Sequence, residues 1–532
     1  MPDSPLYTRS DCIRYVEKKS EKILFHYGEG FMSESLPVGT RVIYPPPPLR
    51  AIQDVDQAIE HALEHPLGCD PLSAQLRTGM KVTIAFDDIS LPLPPMTTPD
   101  IRQRVITSVL KKLAAAGVTD IHLIAATSLH RRMTPEELRR VLGSTIYDAF
   151  APDRLYNHDA EDKDGNVFLG KTEKGEEIEI NRRAVESDLL IYVNINLVSM
   201  DGGNKSVPVG LGTYRSLRYH HTVDTLMHSL SYFDPPHSAM HHSCNRMGKV
   251  VAEHMNIFTI ETTLNNDGVP HWLTFLRKPH HRFNLLDTLN LHVNKLSTDL
   301  LPASLKRDIF FKMYAPYGLT GIHAGRTNFV HEKTLNNIYR QQVVLVNGQA
   351  DIVVIGVPYI CPYNVNSIMN PILVMCLALG YFFNFYRGKP LIRRDGVYIL
   401  LYPLHEDFHP VNHPSYIEFY NRVLTDTRDP KTVEQKYEQE FAYNPKYIDL
   451  YRHSYAYHGV HPFYMWYWGC YALSYLGKVI VVKPRTKRPA DIMGFETADS
   501  LPEALERAQS YVGPNPKITN YQIPPLLLCD VE

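Results

Sequence analysis

This sequence lacks several things, and each absence excludes something. Neither charge is in excess: 55 Lys and Arg face 57 Asp and Glu in 532 residues, a net charge of −2. So balanced a surface offers no general footprint for nucleic acid or an anionic membrane, although it leaves room for a local basic pocket. No long hydrophobic run is present. The longest, Ile372–Phe383, has twelve residues; a bilayer span needs about 20, so this run reads as a buried core helix. The opening stretch, MPDSPLYTRSDCIRYVEKKSEK, is polar and carries no hydrophobic leader. The seven cysteines, at 12, 69, 244, 361, 376, 470 and 529, include no C-x-x-C pair. An odd, scattered set points to reduced thiols in the cytoplasm and argues against a disulfide framework or a Cys-based zinc site. H-E-x-x-H, internal repeats and low-complexity tracts are absent too.

What is present describes an ordinary globular protein, 44% apolar and 21% charged. Its length suits two to four domains at roughly 100–200 residues each. The prolines of residues 45–48 forbid helix and make an extended lead-in. Strands and helices then alternate. Lys81–Phe86, Ile121–Ala126, Asp188–Asn196 and Phe258–Leu264 are β-branched, apolar runs that read as buried strands. Between them Ile101–Ala116 has helical periodicity and stops at Gly117, and Thr134-Pro-Glu-Glu carries the signals of a helix start. A second set follows: strands at 342–346, 351–357, 397–402 and 478–483, a buried helix over 371–386 and a helix over 500–511. Such alternation predicts an α/β fold of two domains with mostly parallel sheets. The expected boundaries are 1–305 for the first domain, 306–335 for a linker, 336–512 for the second domain and 513–532 for an extended tail. Residues 405–470, dense in His and Tyr, read as an insertion.

In open parallel sheets ligands bind beyond the carboxyl ends of the strands. Four polar segments occupy that place. Asp87-Asp88-Ile-Ser90 follows the first strand. Thr127-Ser-Leu-His130-Arg131 follows the second, with His130 just before a helix N-terminus, where the dipole disfavours imidazolium. Asn196–Lys205 follows the third. Its Gly202-Gly203 permits close backbone approach with Lys205 beyond, although the spacing is not that of a P-loop. Tyr219-His220-His221 is the fourth. Adjacent helical histidines point about 100° apart, so this pair supplies one metal ligand at most. With no other ligand cluster in the chain, a metal here would take most of its coordination from elsewhere. Further candidates among the 25 histidines are His323 beside Arg326, and His405 and His409 with Glu406 after the strand at 397–402. His158, in Asn157-His158-Asp159, reads as a bridge between loops.

The order TSLHRRMTPEEL, YNHDAEDKDG, GGNKSVPVGLG, and a histidine sixteen residues past the lysine resembles the nickel-dependent lactate racemase family. HPLGCDPLSAQLRTGMKVTIAFDD and KRPADIMGFETADSLPEALERAQ resemble that family's first-strand lead-in and its C-terminal strand and helix. The resemblance implies a site in the cleft between the two domains, with the tail returning to the first. It implies a pyridinium-dithiocarboxylate (nickel-pincer) mononucleotide covalently attached to Lys205, with His221 completing a square-planar nickel. By the same resemblance His130 is a proton-transfer residue and hydride leaves and returns at C2 of a 2-hydroxy acid. Asp88, Ser90, Arg131, Gly202 and Gly203 are then expected around the cofactor, and Lys81 or Arg131 at its phosphate. Cofactor-maturation enzymes are the implied partners.

Three departures stand out. Leu91 replaces the family's carboxylate-binding arginine, Ile195 stands where its second catalytic histidine falls, and the stretch after 351–357 has no lysine. Losing a bidentate carboxylate clamp is not conservative. The expectation is therefore a racemase or epimerase of a 2-hydroxy acid other than lactate, such as a sugar acid. Arg326, Asn196 and His409 would bind the substrate, and His323 or His405 would stand in for the lost histidine. The alternatives are a binding or carrier protein on the same scaffold, and a dehydrogenase or hydro-lyase reusing the fold.

Overall fold

The computed structural model describes residues 10–532; residues 1–9, the start of the polar opening stretch, lie outside the described residues. Two mostly parallel sheets organise the chain. The first has the strand order Leu319–Gly325, Ile257–Leu264, Leu189–Asn196, Lys81–Asp87, Asp120–Ala126, Leu155–Asn157. All neighbours run parallel except the edge strand Leu319–Gly325. Every residue of Leu189–Asn196 is buried, as a sheet covered on both faces requires. Thr134 caps the helix Pro135–Phe150 through a reciprocal capping box with Glu137.

The second sheet runs Ile13–Tyr15, Arg41–Ile43, Ile518–Tyr521, Ala350–Pro358, Ile392–Leu401, Lys478–Val482, Glu496–Ala498. The hairpin Ile23–Gly28 and Gly30–Glu34 joins it along Ala350–Pro358. This pairing departs from the expected boundaries in three ways. Residues 13–43 belong to the second sheet, not the first domain. The tail's Ile518–Tyr521 pairs with Ala350–Pro358 and Arg41–Ile43 in the second sheet, its Leu528–Val531 pairs with Val343–Val346 in a separate three-stranded sheet, and between them Leu526 packs on the core of the first sheet and accepts the Asn266 amide at 2.8 Å. And residues 306–335 are no linker: Leu319–Gly325 closes the first sheet, and the helix Thr327–Gln342 packs on that strand and its neighbour. A run of short apolar segments separated by long loops hides antiparallel partners from a local reading.

The run Ile372–Phe383 is buried as expected. It starts as the helix Pro371–Met375, widens into a π-helix over Cys376–Tyr381, and ends in Phe382–Asn384, before a short strand at Tyr386–Gly388. It packs on His461–Tyr475, the one fully apolar-faced helix of the 405–470 segment. A Cβ on Gly380 would sit 3.0 Å from the Trp468 Cβ, so glycine is what lets these two helices meet. Among the described residues no disulfide forms between the cysteines. Among the described residues no helix is long and apolar enough to cross a membrane.

Candidate active site

The parallel register pairs Asp87 with Ala126, which brings the ends of their two strands together. There His130 Nδ1 lies 2.7 Å from Asp88 Oδ2. The other Asp88 oxygen accepts the Ser90 N–H at 2.9 Å and the Ser90 hydroxyl at 2.5 Å. Burial pushes the Asp88 carboxyl up, but His130 and Ser90 more than reverse this and hold it below the usual carboxylate range. A carboxylate on Nδ1 keeps the proton there and leaves the Nε2 lone pair of His130 free to take one.

His130 lines a cavity of about 150 Å³ with Lys205, His220, His221 and His461. Lys205 Nζ makes no hydrogen bond or ion pair among the described residues. It follows Gly202 (φ 79°) and Gly203 (φ 63°). A Cβ on Gly202 would collide with Asn196 and Glu261, and one on Gly203 with the His331 ring. Glycine is thus required for the turn to pack on the buried Glu261, whose Oε1 accepts the Gly203 N–H at 2.6 Å. That amide is satisfied by a carboxylate.

His221 caps the helix Tyr214–His220, with Nδ1 3.3 Å from the Leu217 carbonyl oxygen. A carbonyl can only accept, so Nδ1 carries the proton and Nε2 offers its lone pair, the arrangement a metal ligand needs. The ring stacks on Tyr464 at 4.6 Å between centroids. Burial, then the neighbouring His220, hold His221 well below the ordinary imidazole value. His220 is pushed down to about 3 by burial and by Lys205, and both its nitrogens are buried without a partner. Among the described residues no group of three or more His, Cys, Asp or Glu gathers to hold a metal.

The far wall comes from the helix His461–Tyr475. His461, Tyr464, Met465 and Trp468 line the cavity at i, i+3, i+4 and i+7, one helical face. His461 Nδ1 is 2.6 Å from Tyr416 Oη, and its ring stands 5.5 Å from that of His130. Burial foremost, then His130, hold His461 well below the ordinary imidazole value. Ser128 Oγ, Tyr464 Oη and Trp468 Nε1 are buried at this cavity without a partner. Orphaned polar atoms converging on one space mark the seat of a polar ligand.

Several expected site residues lie elsewhere. Arg131 is held by Glu137 at 2.7 and 2.9 Å and by the Val365 carbonyl, so it has nothing left for a phosphate. Lys81 pairs with Glu186 at the opposite end of its strand. Arg326 lies on a different cavity, behind the Gly203–Lys205 turn, where its Nε donates to the Gly68 carbonyl. His323 sits on the edge strand with Nε2 beside Asn337. His405 accepts the Asp407 N–H and His409 the Asn412 N–H, and neither lines the cavity. Asn196 is buried under Gly202, both amide atoms unpartnered, outside the cavity lining. Asp88 and Ser90 serve His130, and His158 bridges Gly212 and Asn181.

Residues 27–232 match the lactate racemase N-terminal domain family. Lactate racemase from Lactiplantibacillus plantarum is 27% identical over 172 residues, and that from Thermoanaerobacterium thermosaccharolyticum 25% over 170 residues. Each match takes in 31% of this chain and 38% of the relative. Over that segment the chain is similar to lactate racemases, and it spans well under half of their length. The likeness in fold extends further. The lactate racemase apoprotein of T. thermosaccharolyticum superposes with a TM-score of 0.63 over 96% of this chain and all of that one, at 17% identity. A Thermotoga maritima protein gives 0.50 over 92% of this chain, at 15% identity. His461 lies beyond the matched 27–232 segment. The sequence signal for it was available: four polar or soft side chains recur at helical spacing in HPFYMWYW, inside a helix buried on every side.

Proposed function

We propose that this chain is a racemase or epimerase of a 2-hydroxy acid, working with a nickel-pincer nucleotide carried on Lys205. One observation carries this reading: a single cavity at the carboxyl edge of the first sheet holds Lys205 beside Asp201, a His221 whose Nε2 is free of hydrogen bonds among the described residues, and His130 aligned by Asp88. The donor set fits the group. Lys205 is available for covalent attachment, and His221 would supply one nitrogen ligand to the group's nickel. When bound, that group supplies a hydride acceptor for C2 of the substrate.

The chain's own residues handle the proton. His130 Nε2 takes the hydroxyl proton of one enantiomer while Asp88 keeps the ring in the required tautomer. His461 does the same for the other enantiomer from the opposite wall, steadied through Nδ1 by Tyr416. It thereby fills the role left empty at Ile195, whose side chain packs in the hydrophobic core of the first sheet. A carrier protein would need no second base, so His461 weighs against that alternative.

The test is chiral chromatography of 2-hydroxy acids incubated with protein co-produced with the cofactor-maturation enzymes, beside intact-mass spectrometry. Wild type is expected to carry an adduct that Lys205→Ala lacks and to interconvert enantiomers. His130→Asn and His461→Asn are expected to keep the adduct and lose about 10²–10⁴-fold in turnover. Unmodified wild-type protein would refute the cofactor assignment, and a His461→Asn enzyme within tenfold of wild type would remove His461 from the mechanism.

A further inference from the structure

A second cavity, of about 240 Å³, lies directly against the first. Leu91, Val198, Pro362 and Tyr381 line both, so a single layer of side chains stands between them. The second cavity is walled by Leu93, Leu273, Phe310, Met313, Phe382 and Phe385. Several of the polar groups on its wall are already paired, while Lys306 and the Trp272 indole also stand on it. Asn265 Nδ2 donates to the Leu49 carbonyl at 3.0 Å and Asn266 Nδ2 to that of Leu526 at 2.8 Å. Tyr317 Oη donates to the Leu93 carbonyl at 2.5 Å, and His26 Nε2 is 3.2 Å from the Pro524 carbonyl oxygen. A space whose walls are mainly apolar favours apolar ligands over strongly hydrated ones.

We propose that this second cavity is the side-chain pocket of the substrate, and that the substrate is a 2-hydroxy acid with a long, unbranched hydrocarbon chain. The inference rests on the reading of the first cavity given above. The carboxylate and 2-hydroxyl stay among His130, His461 and Lys205, and the chain on C2 passes Leu91 into the apolar space. Leu91 then has a positive role. At a passage between two cavities an arginine would place a charge in the path of a hydrocarbon, whereas leucine extends the wall. A sugar acid, the expectation from the His- and Tyr-rich segment, would bring several hydroxyls against the apolar walls of Leu93, Leu273, Phe310, Met313, Phe382 and Phe385, and each hydroxyl left without a partner there carries a desolvation cost.

Calorimetric titration of cofactor-loaded protein with straight-chain 2-hydroxy acids of four to twelve carbons, beside gluconate, tests this. Affinity is expected to rise about fourfold per added methylene, the equivalent of about 0.8 kcal/mol per buried CH₂, until the cavity is filled. Gluconate is expected to bind no better than the four-carbon acid. Leu273→Trp and Met313→Trp fill the cavity from two walls. Each folded variant, checked by circular dichroism, is expected to lose the gain beyond short chains and to bind the four-carbon acid as wild type does. A flat series, gluconate as the tightest ligand, or an unchanged slope in the Trp variants overturns the proposal. A steep series with no interconversion of enantiomers leaves the apolar pocket standing and refutes the racemase reading. Interconversion of short acids with a flat series does the reverse.

Discussion

Arg131→Met asks whether this guanidinium holds the fold or a phosphate. Arg131 reaches both Glu137 oxygens, at 2.7 and 2.9 Å, and the Val365 carbonyl at 3.1 Å. The two side chains are 5% and 7% exposed. Glu137 also accepts the Thr134 N–H at 2.9 Å and Asn366 Nδ2 at 2.8 Å, so the pair ties the start of a first-domain helix to the 358–370 loop. Taking away one member of a buried pair costs about 3–5 kcal/mol, because the other is left charged and desolvated. Two neutral donors remain on Glu137, which puts the expected loss at the lower end, about 3 kcal/mol by chemical denaturation. The pH dependence carries a further check. Burial pushes the Glu137 carboxyl up and Arg131 more than offsets it, so the net position is below the usual range. Without Arg131 burial dominates and the folded-state pKa rises above the unfolded one. Stability of the variant is then retained at acid pH and lost as pH rises through that value. The defect is therefore larger at pH 8 than at pH 5. The double variant Arg131→Met/Glu137→Leu should recover most of the loss, since buried pairs are often replaceable by apolar groups. If Arg131→Met unfolds within 1 kcal/mol of wild type, as a marker of small effect, yet loses the nucleotide, the guanidinium is a phosphate ligand and this reasoning fails.

Two more predictions follow from the same geometry. His221→Ala is expected to abolish nickel retention in cofactor-loaded protein, measured by inductively coupled plasma mass spectrometry, while His220→Ala keeps most of it; the opposite result would move the ligand one residue back. Asp87 is raised to about 7, chiefly by burial and against the opposing Ile195 N–H at 2.7 Å. A raised folded-state pKa gives stability that is full below the unfolded value of 3.8 and declines until pH reaches about 7. That interval amounts to on the order of 4 kcal/mol, and Asp87→Asn should flatten the stability profile across it; an unchanged profile would assign the titration elsewhere.

The central strands of both sheets were legible because each is a continuous β-branched run flanked by turn residues, and Thr134 announced its helix by a cap that acts locally. What stayed hidden depended on distant pairing. Nothing in residues 23–34 or 319–325 says which sheet they join, since an edge strand is specified by its partner and not by its own pattern. The family resemblance singled out Lys205, His221 and His130 through motifs in one contiguous stretch of chain, and the fold brings the three to one cavity. Arg131 misled because a lone arginine after a strand end resembles an anion ligand; its partner Glu137 is visible six residues on, but only the helix cap makes that carboxylate buried and fixed. His461 was missed for the opposite reason, although its helical face was visible in the sequence. It enters the site from a helix of the other domain, 331 residues beyond His130 in the chain, and only tertiary packing brings the two rings within 5.5 Å.

The three departures from the family's residues also bear on one another. A carboxylate brought into this cavity finds no arginine on the lining, and Lys205 is committed if it carries the cofactor. The donors that remain are neutral: Tyr464 Oη, Trp468 Nε1 and Ser128 Oγ, all without partners in the chain. Hydrogen bonds to a charged group are each worth about 1.5–3 kcal/mol, so three such donors approach what one guanidinium fork supplies. Two of the three come from the same helical face as His461. One buried helix therefore delivers both the second proton-transfer group and most of the carboxylate's partners, and this frees position 91 to be leucine. It also explains why restoring arginine at 91 would be a poor route to lactate turnover. The new guanidinium would stand between two cavities, where it would bring a charge into the path of a hydrocarbon and could be drawn to Asp201 on the same lining.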